Sequence, residues 1–478
     1  MPAPAPRESL VTMPQGTPSN FIQFRDEYPE FVYEKYAIEE DEDKLYFRFF
    51  YRYSSKIAFK HEINILKKNF TFHLDLSSSE LENLVFHLGL IELIKYWMVT
   101  CSPVVIIKAG SLKANQIKWW KNLYFKGLQE FFYVNSIEVN VNDFMELTSN
   151  SPKKFQPFNL QNKAKNLILI GGGKDSILTL DILAQSHPDD LCLVFNPHPF
   201  RIQIAQLAKF PSERIVEIQR ISDPKLLEMR ANGYFTGHPP FSAFLAFLSL
   251  TVAALFGTKH IVVSNESSAN EVSIANTDIN HQYSKSFEFE QNFNEYFQKT
   301  ITADIQYFSL LRPLNELQIA RRFSQVNPRY FSVFRSCNTA RGTRVWCNHC
   351  PKCLFVYIIL FPFFSEPELF SIFGQDLFQQ RELLPSFLKL IGVDPIKPFE
   401  CVGTRDEVNA ALSLGLEKWY PSDSSTPKLL PHLLKIYTQQ YRHLIKTHDH
   451  VHELLNSWNE NHLIPPKFLN VFLRPGDL

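Results

Sequence analysis

The stretch Asn166-Leu-Ile-Leu-Ile-Gly-Gly-Gly-Lys-Asp-Ser-Ile-Leu-Thr-Leu-Asp-Ile-Leu183 joins a short apolar run to a helical repeat through three glycines. Asn166 to Ile170 predicts a buried strand, because it is mostly apolar, partly β-branched and stopped by glycine. The apolar residues from Ser176 to Leu183 recur at helical spacing. Glycines let the backbone take positive φ and approach a ligand, while a helix start directs free N–H groups at an anion. Gly171–Ser176 is therefore predicted to bind phosphate.

Two common phosphate loops do not fit this spacing. A Walker A loop would need glycine where Ile168 stands, and serine or threonine where Asp175 follows the lysine. A dinucleotide-binding fingerprint would need a further glycine at or after Ser176. An ordinary strand-to-helix turn is the alternative without a ligand, but such a turn seldom needs more than one glycine.

The loop has a closer counterpart in a known superfamily. Gly171-Gly-Gly-Lys-Asp-Ser176 resembles the [Ser/Gly]-Gly-Gly-x-Asp-Ser loop of the PP-loop, or N-type, ATP pyrophosphatases. In that family the loop holds the pyrophosphate end of ATP while a substrate oxygen attacks the α-phosphate, which gives an adenylated intermediate and pyrophosphate. The resemblance implies ATP, and Mg²⁺ bridging phosphate oxygens. It assigns to ATP binding the residues Gly171, Gly172, Gly173, Lys174, Asp175 and Ser176.

The composition limits which classes of protein and which kinds of partner fit this chain. The 478 residues predict about three domains, and 45% apolar with 21% charged residues are typical of a soluble globular chain. The 49 basic and 49 acidic residues cancel. Because a protein that contacts a phosphate backbone usually carries a basic balance, a nucleic-acid partner such as tRNA is disfavoured. The composition does not predict an oligomeric state.

Two segments bear on localisation. Residues 1–20 are rich in proline and lack the apolar centre of a signal peptide, so they are predicted to form a flexible tail. The longest apolar run, Phe241–Phe256, is shorter than the roughly twenty residues of a membrane span. It predicts a buried helix instead. We therefore expect a cytoplasmic chain with no membrane partner.

Residues 21–150 are predicted to form an N-terminal α+β domain without a recognisable catalytic motif. An antiparallel pair of strands is expected at Leu45–Tyr53 and Lys56–Ile65, followed by a helix from Ser77 to about Trp97. A further strand is expected at Val104–Ile107 and one long helix at Gln116–Val134. The polar, proline-containing segment from Ser149 to Lys165 marks the boundary.

Residues 160–365 alternate strands and helices, which predicts a doubly wound parallel sheet, and residues 366–478 predict a helical C-terminal region. Ligands of such sheets bind at the carboxyl ends of the strands. Polar segments follow the predicted strands there, and Asn196, in the second of them, joins the residues assigned to ATP. The predicted strands are Leu167–Ile170, Leu191–Phe195, Ile215–Ile218 and His260–Ser264, and the polar ends are Gly171–Ser176, Asn196–Pro199 and Ser264–Glu271. Thr277–Ser286 is too polar for a core and is interpreted as a substrate loop or a surface connection.

Four cysteines are crowded as Cys337-x9-Cys347-x2-Cys350-x2-Cys353. Without a secretory signal, this crowding predicts a metal site rather than disulfides. Four thiolates suit a closed structural zinc site, with an iron–sulfur cluster as the alternative. His349 is a possible substitute ligand. The remaining cysteines, Cys101, Cys192 and Cys401, are interpreted as inert core thiols.

The combined motifs resemble one family over most of the chain. A PP-loop followed by this cysteine pattern is similar to the zinc-bearing 7-cyano-7-deazaguanine synthases, but those are about half as long and lack the N-terminal domain. The whole arrangement most resembles the UDP-N-acetylmuramoyl-L-alanyl-L-glutamate epimerases of peptidoglycan synthesis. The motifs that carry this resemblance are Gly171-Gly-Gly-Lys-Asp-Ser176, Asn265-Glu-Ser-Ser-Ala-Asn-Glu271, His281-Gln-Tyr-Ser-Lys-Ser286 and Cys350-Pro-Lys-Cys353.

This resemblance implies a UDP-sugar dipeptide substrate, an isomerase activity and an acyl-adenylate that releases AMP and pyrophosphate. Lys174, Asp175 and Ser176 would act on the phosphates. Inversion needs an acid or base on each face of the α-carbon, or one mobile group. The candidates, each of which could instead bind substrate or support the structure, are His238, Glu266, Glu271, Asp278, His281 and Lys285.

Three other functions remain open from the residues alone. A PP-loop ligase or amidotransferase would use the same adenylate to make an amide or nitrile. A tRNA-thiolation enzyme would need a basic surface and a catalytic cysteine near the loop, where Cys192 is the nearest in sequence. A non-catalytic nucleotide-binding protein would not need Lys174, Asp175 and Ser176 together.

Overall fold

The computed structural model describes residues 18–54, 57–67, 77–161, 163–184, 189–339, 346–420 and 429–470. The predicted tail at residues 1–20 lies largely outside this part of the chain. The described residues form two units, each discontinuous in sequence. The first takes its residues from Met1–Lys163, Glu217–Thr258 and Asn292–Ile305, and the second from Ala164–Val216, Lys259–Gln291 and Gln306–Leu478. The predicted domain boundaries stay a prediction.

Helices and strands alternate mainly in the middle of the chain, between residues 163 and 323. As far as Ser149 the elements are α1 (Pro18–Glu27), β1 (Glu30–Glu40), β2 (Lys44–Tyr53), β3 (Ile57–Leu66), α2 (Ser78–Trp97), β4 (Val104–Ile107), α3 (Ala114–Gly127), α4 (Gln129–Val134) and β5 (Glu146–Ser149). The next are β6 (Lys163–Leu169), α5 (Lys174–Ala184), β7 (Leu191–Phe195), α6 (Pro199–Leu207), β8 (Ile215–Ile221), α7 (Lys225–Ala231), α8 (Phe241–Phe256), β9 (Thr258–Val263), α9 (Phe287–Thr300), β10 (Gln306–Ser309) and α10 (Glu316–Phe323). The last are α11 (Pro351–Leu360), α12 (Glu366–Phe373), α13 (Leu384–Ile391), α14 (Arg405–Trp419), α15 (His432–Gln440), α16 (His448–Asn456) and α17 (Pro466–Leu469).

The first unit is built on strands in the order β8-β3-β2-β1-β4-β5. Strands β1, β2, β3 and β8 pair antiparallel, whereas β4 pairs parallel with β1 and with β5. Side chains of β2 are buried at every second residue, as expected for a strand with one face on a core. The predicted antiparallel pair β2–β3 is confirmed, with Lys56 outside the described residues.

Strand β1 was not among the predicted strands, and the acidic composition of its end favours a turn rather than a strand. In the structure the strand continues to Glu40, and its acidic side chains face arginines of β2. Glu39 pairs with Arg48, and Glu34 pairs with Arg52 at 2.6 Å. Cross-strand pairing of opposite charges therefore permits a strand where charge alone suggested a turn.

The single helix expected at Gln116–Val134 is wrong, since α3 and α4 are separate helices on either side of Leu128. The break follows Gly127, where an added Cβ would come within 2.7 Å of the Cβ of Pro240. The glycine thus allows a close approach at the helix end. The helix predicted from Ser77 is confirmed as α2, and the Ser77 N–H donates to Oε2 of Glu80 at 2.7 Å.

The second unit contains strands in the order β10-β9-β6-β7, with parallel pairing in β6–β7 and β9–β10. Helices follow β6 and β7 directly, so the predicted α/β class is confirmed. The strand order reverses at β6, because β7 lies on one side of it and β9 on the other. In an open α/β sheet such a reversal opens a crevice at the carboxyl ends of the strands. The glycines predicted to bind phosphate follow β6 and lie at this reversal.

The apolar run Phe241–Phe256 forms the predicted buried helix, α8. Across the described residues, no helix combines the length and the apolar character that crossing a membrane requires. Helices also make up the regular structure found beyond Ser365, as expected, and α12 and α13 each carry a proline in the first turn. Helix α11 precedes them and packs against α13 and α14, with almost every side chain buried.

Candidate functional site

The glycine loop connects β6 to α5 in a conformation that requires glycine at one position. Gly172 has φ of 95°, in the left-handed region, and an added Cβ there would lie 2.3 Å from the Phe200 ring. At Gly173 a Cβ would lie 2.7 Å from Oγ of Ser336. At Gly171 it would meet no described atom within 4 Å. The loop is therefore tightly packed on its inner side and open at Gly171, where a ligand can approach the backbone.

Hydrogen bonds hold the loop in this shape. The backbone N–H of Gly172 donates to Oγ of Ser176 at 3.1 Å, and that hydroxyl donates to the Gly173 carbonyl at 3.0 Å. The N–H of Arg335 donates to the Gly172 carbonyl at 2.7 Å. Ser176 thus acts within the loop itself, which leaves the start of α5 directed at the open side.

Two arginines lie beside the loop. Arg201 donates through Nε to the Gly171 carbonyl at 3.1 Å and through a terminal nitrogen to the Asn196 carbonyl at 3.2 Å. The guanidinium groups of Arg201 and Arg335 each lie 5.4 Å from the centre of the Phe200 ring. Burial, and then the charge of Arg335, lower the pKa of Arg201. This mutual repulsion would be relieved by an anion, so the cations suit phosphate groups at the loop.

Lys174 does not extend toward the open side of the loop. Its side chain is 1% exposed and its ammonium pairs with Asp175 and with Glu316, which is 2% exposed. Burial would lower the pKa of Lys174, but the charges of Asp175 and Glu316 outweigh it and raise that pKa. Burial raises the pKa of Glu316 to about 8, although Lys174 opposes this change. Asp175 stays ionised, since Lys174 and Lys352 lower its pKa against the effect of burial.

A second charged group of side chains shares Asp175. Burial would lower the pKa of Lys285, but the charges of Cys401, Glu266 and Asp175 raise it. Cys401 itself is half-buried and receives hydrogen bonds from Lys285 and His281. Burial would raise the pKa of its thiol, yet Lys285, His281 and Lys352 together lower it to about 6.

Cys401 is partly exposed, so the expectation that it is a core thiol is wrong, and its reactivity stays a prediction. Sequence placed it far from the loop, in the helical C-terminal region, whereas the fold of the second unit places it against Lys285. Cys101 and Cys192 are buried, as expected, and burial raises the pKa of both thiols.

The segment that carries Glu266, His281 and Lys285 is fixed from two directions. Buried Arg312 pairs with Glu290 at 2.8 Å and donates to the carbonyls of Glu266 at 2.7 Å and Lys285 at 2.6 Å. From the C-terminal region, Lys397 pairs with Glu271 at 2.5 Å. Further contacts join Gln282 to Val402 at 3.0 Å and Glu407 to Ser268 and to the N–H of Glu316.

The structure brings together most of the predicted site residues. The cluster around Asp175 and Lys285 contains Lys174, Glu266 and His281 as well as the loop. Glu271 pairs with Lys397, and Asp278 is exposed on the same segment. His238 belongs to the first unit, and Asn196 is exposed and contacts Arg201 through its carbonyl oxygen. The catalytic roles of these residues stay predictions.

Sequence reasoning missed six residues of the site: Arg201, Arg312, Glu316, Arg335, Lys352 and Cys401. A signal was present for two of them. Arg312 and Glu316 interrupt an apolar run, Leu310-Leu-Arg-Pro-Leu-Asn-Glu-Leu317, and a charge in such a run is buried only with a partner. No comparable pattern surrounds Cys401.

The four crowded cysteines do converge. One sulfur atom from each of Cys337, Cys347, Cys350 and Cys353 lies within 4.8 Å of the other three. Cys350 caps α11, and its sulfur lies 3.5 Å from that of Cys353. Four sulfurs this close fit a tetrahedral metal site, and no other group of metal-binding side chains stands out among the described residues. His349 is hydrogen-bonded to the Cys347 carbonyl at 2.7 Å, so the sulfurs complete the donor set without it.

Two family models match the parts of the chain that contribute to this site. Residues 23–310 match the family model described as the MurL N-terminal domain, and residues 333–433 match the MurL C-terminal domain. The first match includes the glycine loop and Lys285, and the second includes the four cysteines and Cys401.

Three relatives carry one name, UDP-N-acetyl-alpha-D-muramoyl-L-alanyl-L-glutamate epimerase, and epimerases are isomerases. That of Xanthomonas oryzae pv. oryzae is 32% identical over 335 residues, which cover 68% of this chain and 73% of the relative. That of Micromonospora sp. is 34% identical over 302 residues, covering 62% and 66%. That of Salinispora tropica is 33% identical over 321 residues, covering 66% and 69%. On the extent of these matches, the chain belongs to the MurL family.

Proposed function

We propose that this protein inverts the terminal L-glutamate of UDP-N-acetylmuramoyl-L-alanyl-L-glutamate to D-glutamate, in an ATP-dependent reaction of peptidoglycan synthesis that releases AMP and pyrophosphate. The relatives' names supply the substrate. The observation that supports an ATP-dependent route is that Asp175 lies both at the glycine loop and beside Lys285. One residue thus links a phosphate-binding loop to a group of side chains suited to proton transfer.

ATP has a clear task in such a reaction. A free carboxylate opposes loss of its own α-hydrogen, because deprotonation places a second negative charge beside the first. Adenylation of the α-carboxylate removes the first charge and makes an enolate-like intermediate accessible. Reprotonation on the opposite face and hydrolysis of the adenylate would then give the D-glutamyl product, AMP and pyrophosphate.

The chain's own residues fit this task. The open backbone at Gly171, the start of α5, and the guanidinium groups of Arg201 and Arg335 would bind the phosphates. Asp175 is ionised and its side chain is 26% exposed, so it can contribute a carboxylate to Mg²⁺. Lys174, buried against Glu316, would hold Asp175 in place rather than contact phosphate directly. These features support a PP-loop fold for the second unit.

The metal would be structural. Four sulfur ligands leave no open position for water or substrate, and the site that they form starts α11. Zinc is the proposed ion, with an iron–sulfur cluster as the alternative. Glu266, His281 and Lys285 would bind the glutamate carboxylates or move protons.

The test is proton NMR of the UDP-linked dipeptide with enzyme, ATP and magnesium in deuterium oxide. We expect ATP-dependent loss of the glutamate α-proton signal, formation of AMP, and D-glutamate in the acid hydrolysate. An unchanged α-proton with AMP formed would instead indicate a ligase or amidotransferase acting on the same adenylate. An unchanged α-proton without AMP would contradict the proposed substrate.

A further inference from the structure

We propose that Cys401 is one of the two groups that move the glutamate α-proton, with Lys285 and His281 holding it in the thiolate form. This inference rests on the proposed function and names a residue that its chemistry requires. It is carried by the position of the thiol, by the charges that face it and by its link to the glycine loop.

The position of Cys401 is fixed by both of its neighbouring segments. The carbonyl of Cys401 accepts a hydrogen bond from the ammonium of Lys352 on α11. The next residue, Val402, accepts through its carbonyl from Nε2 of Gln282 at 3.0 Å. Gln282 is three residues from Lys285. Hydrogen bonds to the carbonyls of Cys401 and Val402 therefore place the cysteine near the Lys285 segment without involving the side chains of Cys401 or Lys285.

The groups that face the thiol are mostly cationic. Lys285 and His281 donate hydrogen bonds to it, and the positive charge of Lys352 also favours the thiolate. Glu400 is the neighbouring acid, and burial raises the pKa of its carboxyl. A sulfur in these surroundings carries negative charge at neutral pH without a bound metal. Cys401 is not among the four cysteines whose sulfurs converge.

Lys285 connects this sulfur to the place where ATP would react. Its ammonium interacts electrostatically with Cys401 on one side and with Glu266 and Asp175 on the other. Asp175 is part of the loop proposed to bind the phosphates. A carboxylate activated at that loop would thus have its α-carbon near the Lys285 side chain, within the region that the thiolate can reach.

The proposed transfer removes one proton from the α-carbon and adds another to its opposite face. The thiolate of Cys401 takes the α-proton, and the electron pair of the Cα–H bond moves into the enolate, whose oxygen carries the charge. A second acid then delivers a proton to the opposite face, and the enolate electrons form the new Cα–H bond. The thiol returns its proton to solvent and the second group regains one. A thiol whose pKa is about 6 suits this cycle, because base and acid forms are both accessible near neutral pH.

The first experiment compares Cys401→Ala with Cys192→Ala, which removes a buried thiol of the same unit outside the site. Each variant is assayed for substrate-dependent ATP–pyrophosphate exchange and for epimerisation in deuterium oxide from either epimer. For Cys401→Ala we expect epimerisation to fall by at least about 100-fold, while pyrophosphate exchange stays within about threefold of the wild type. In this variant, exchange of the α-proton with solvent should persist with only one of the two epimers as substrate. The Cys192→Ala variant should keep all three activities.

The second experiment needs no substrate. Alkylation of Cys401 by iodoacetamide is followed by peptide mass spectrometry across pH in the wild type and in Lys285→Gln. The wild type should show an apparent pKa near 6, and the variant should show a rise of at least about one unit.

The results of these experiments distinguish a failure of the role of Cys401 from a failure of the proposed function. Cys401→Ala that epimerises within about threefold of the wild type would overturn the role of Cys401 and leave the proposed function intact. The same conclusion follows if the alkylation profile does not respond to Lys285→Gln. Wild-type protein that catalyses neither pyrophosphate exchange nor α-proton exchange would overturn both proposals.

Discussion

Each unit buries a cluster of charged side chains, and the two clusters differ in what burial does to them. In the first unit Glu92 and His61 are buried, and Arg220 lies 3.3 Å from Glu92. In the second, Lys174 and Glu316 are buried, but Asp175, Lys285 and Cys401 are partly exposed. Only the second cluster is open to a ligand.

The pKa shifts differ in the same way. Burial would raise the pKa of Glu92, but His61 when protonated and Arg220 lower it, so the carboxylate stays charged and paired with Arg220. In the second unit the pKa of Glu316 rises to about 8 and that of Cys401 falls to about 6. The two pKa values shift in opposite directions, a pattern found where groups exchange protons. Burial of charge alone therefore does not distinguish the two clusters, whereas the opposite pKa shifts in the second unit do.

Removing the proposed metal should have the largest effect, since the four cysteine sulfurs converge within the second unit. Metal analysis of protein purified without chelator should give about one zinc per chain. Prolonged treatment with a strong chelator should unfold the second unit, measured by circular dichroism, with recovery on adding Zn²⁺. Brown protein rich in iron would contradict zinc, and unchanged folding after complete removal would contradict a structural role.

Removing Glu92 from the charged cluster of the first unit should lower the free energy of unfolding. Glu92→Ala leaves His61 and Arg220 without their buried carboxylate, and we expect a loss of about 3–5 kcal/mol in the free energy of unfolding. Denaturant titration measures it. The control is Glu39→Ala, which breaks an exposed pair with Arg48 and should cost at most about 1 kcal/mol. Equal losses in the two variants would mean that Glu92 is not a structural charge.

Removing the charge of Asp175 from the cluster of the second unit should instead lower ATP-dependent turnover. Asp175→Asn keeps the side-chain volume but removes the charge that Lys174 and Lys285 share. We expect ATP-dependent turnover to fall by about 100- to 1,000-fold with little change in unfolding temperature. Asp189→Asn, at a side chain that is 85% exposed, is the matched control and should leave turnover unchanged. Full turnover in Asp175→Asn would contradict the loop's role in ATP use.

Two neighbouring glycines offer a finer comparison within the loop. Gly172→Ala places a side chain at φ of 95° and against Phe200, which should cost about 1–2 kcal/mol of stability. Gly171→Ala meets open space, so it should leave stability within about 0.5 kcal/mol while weakening protection by ATP against thermal unfolding. Thermal unfolding with and without ATP measures both. The reverse pattern would mean that the ligand does not approach Gly171.

The smallest expected effect is a change in how the stability of the protein depends on acidic pH. Burial lowers the pKa of His61 from its ordinary value of 6.5, so the unfolded chain binds a proton that the folded chain refuses. Stability from this residue is present above pH 6.5 and is lost as pH falls below it. His61→Gln should flatten the pH dependence of stability between pH 7 and 5 relative to the wild type. Denaturant titrations at several pH values test this difference.

The sequence predicted those features that depend on neighbouring residues. The glycine loop, the four cysteines and the buried helix α8 each follow from local spacing, and the structure contains all three. The second unit's α/β character followed from alternating apolar runs. The polar segment Ser264–Glu271 also pointed to the candidate site, because polar residues directly after a buried strand have few structural reasons to be there.

What escaped prediction depends on distant partners. Glu316 pairs with Lys174 across 142 positions of the chain, and Ser268 meets Glu407 across 139. Strand β1 exists because arginines of β2 face its acids. Cys401 has no local pattern, since its properties come from Lys285 and His281 in another segment. A single sequence contains these partners but does not say which of them meet.

The interleaved composition of the units has a consequence for synthesis on the ribosome. The first unit needs residues as late as Asn292–Ile305, and the second needs residues beyond Gln306 to provide Glu316 and Cys401. Neither unit can complete its fold when the first 163 residues have emerged. Early strands must wait for late ones, with their apolar faces exposed to chaperones and proteases. Fragments cut near residue 150 or 160 should therefore aggregate in expression trials, whereas the uncut chain should not.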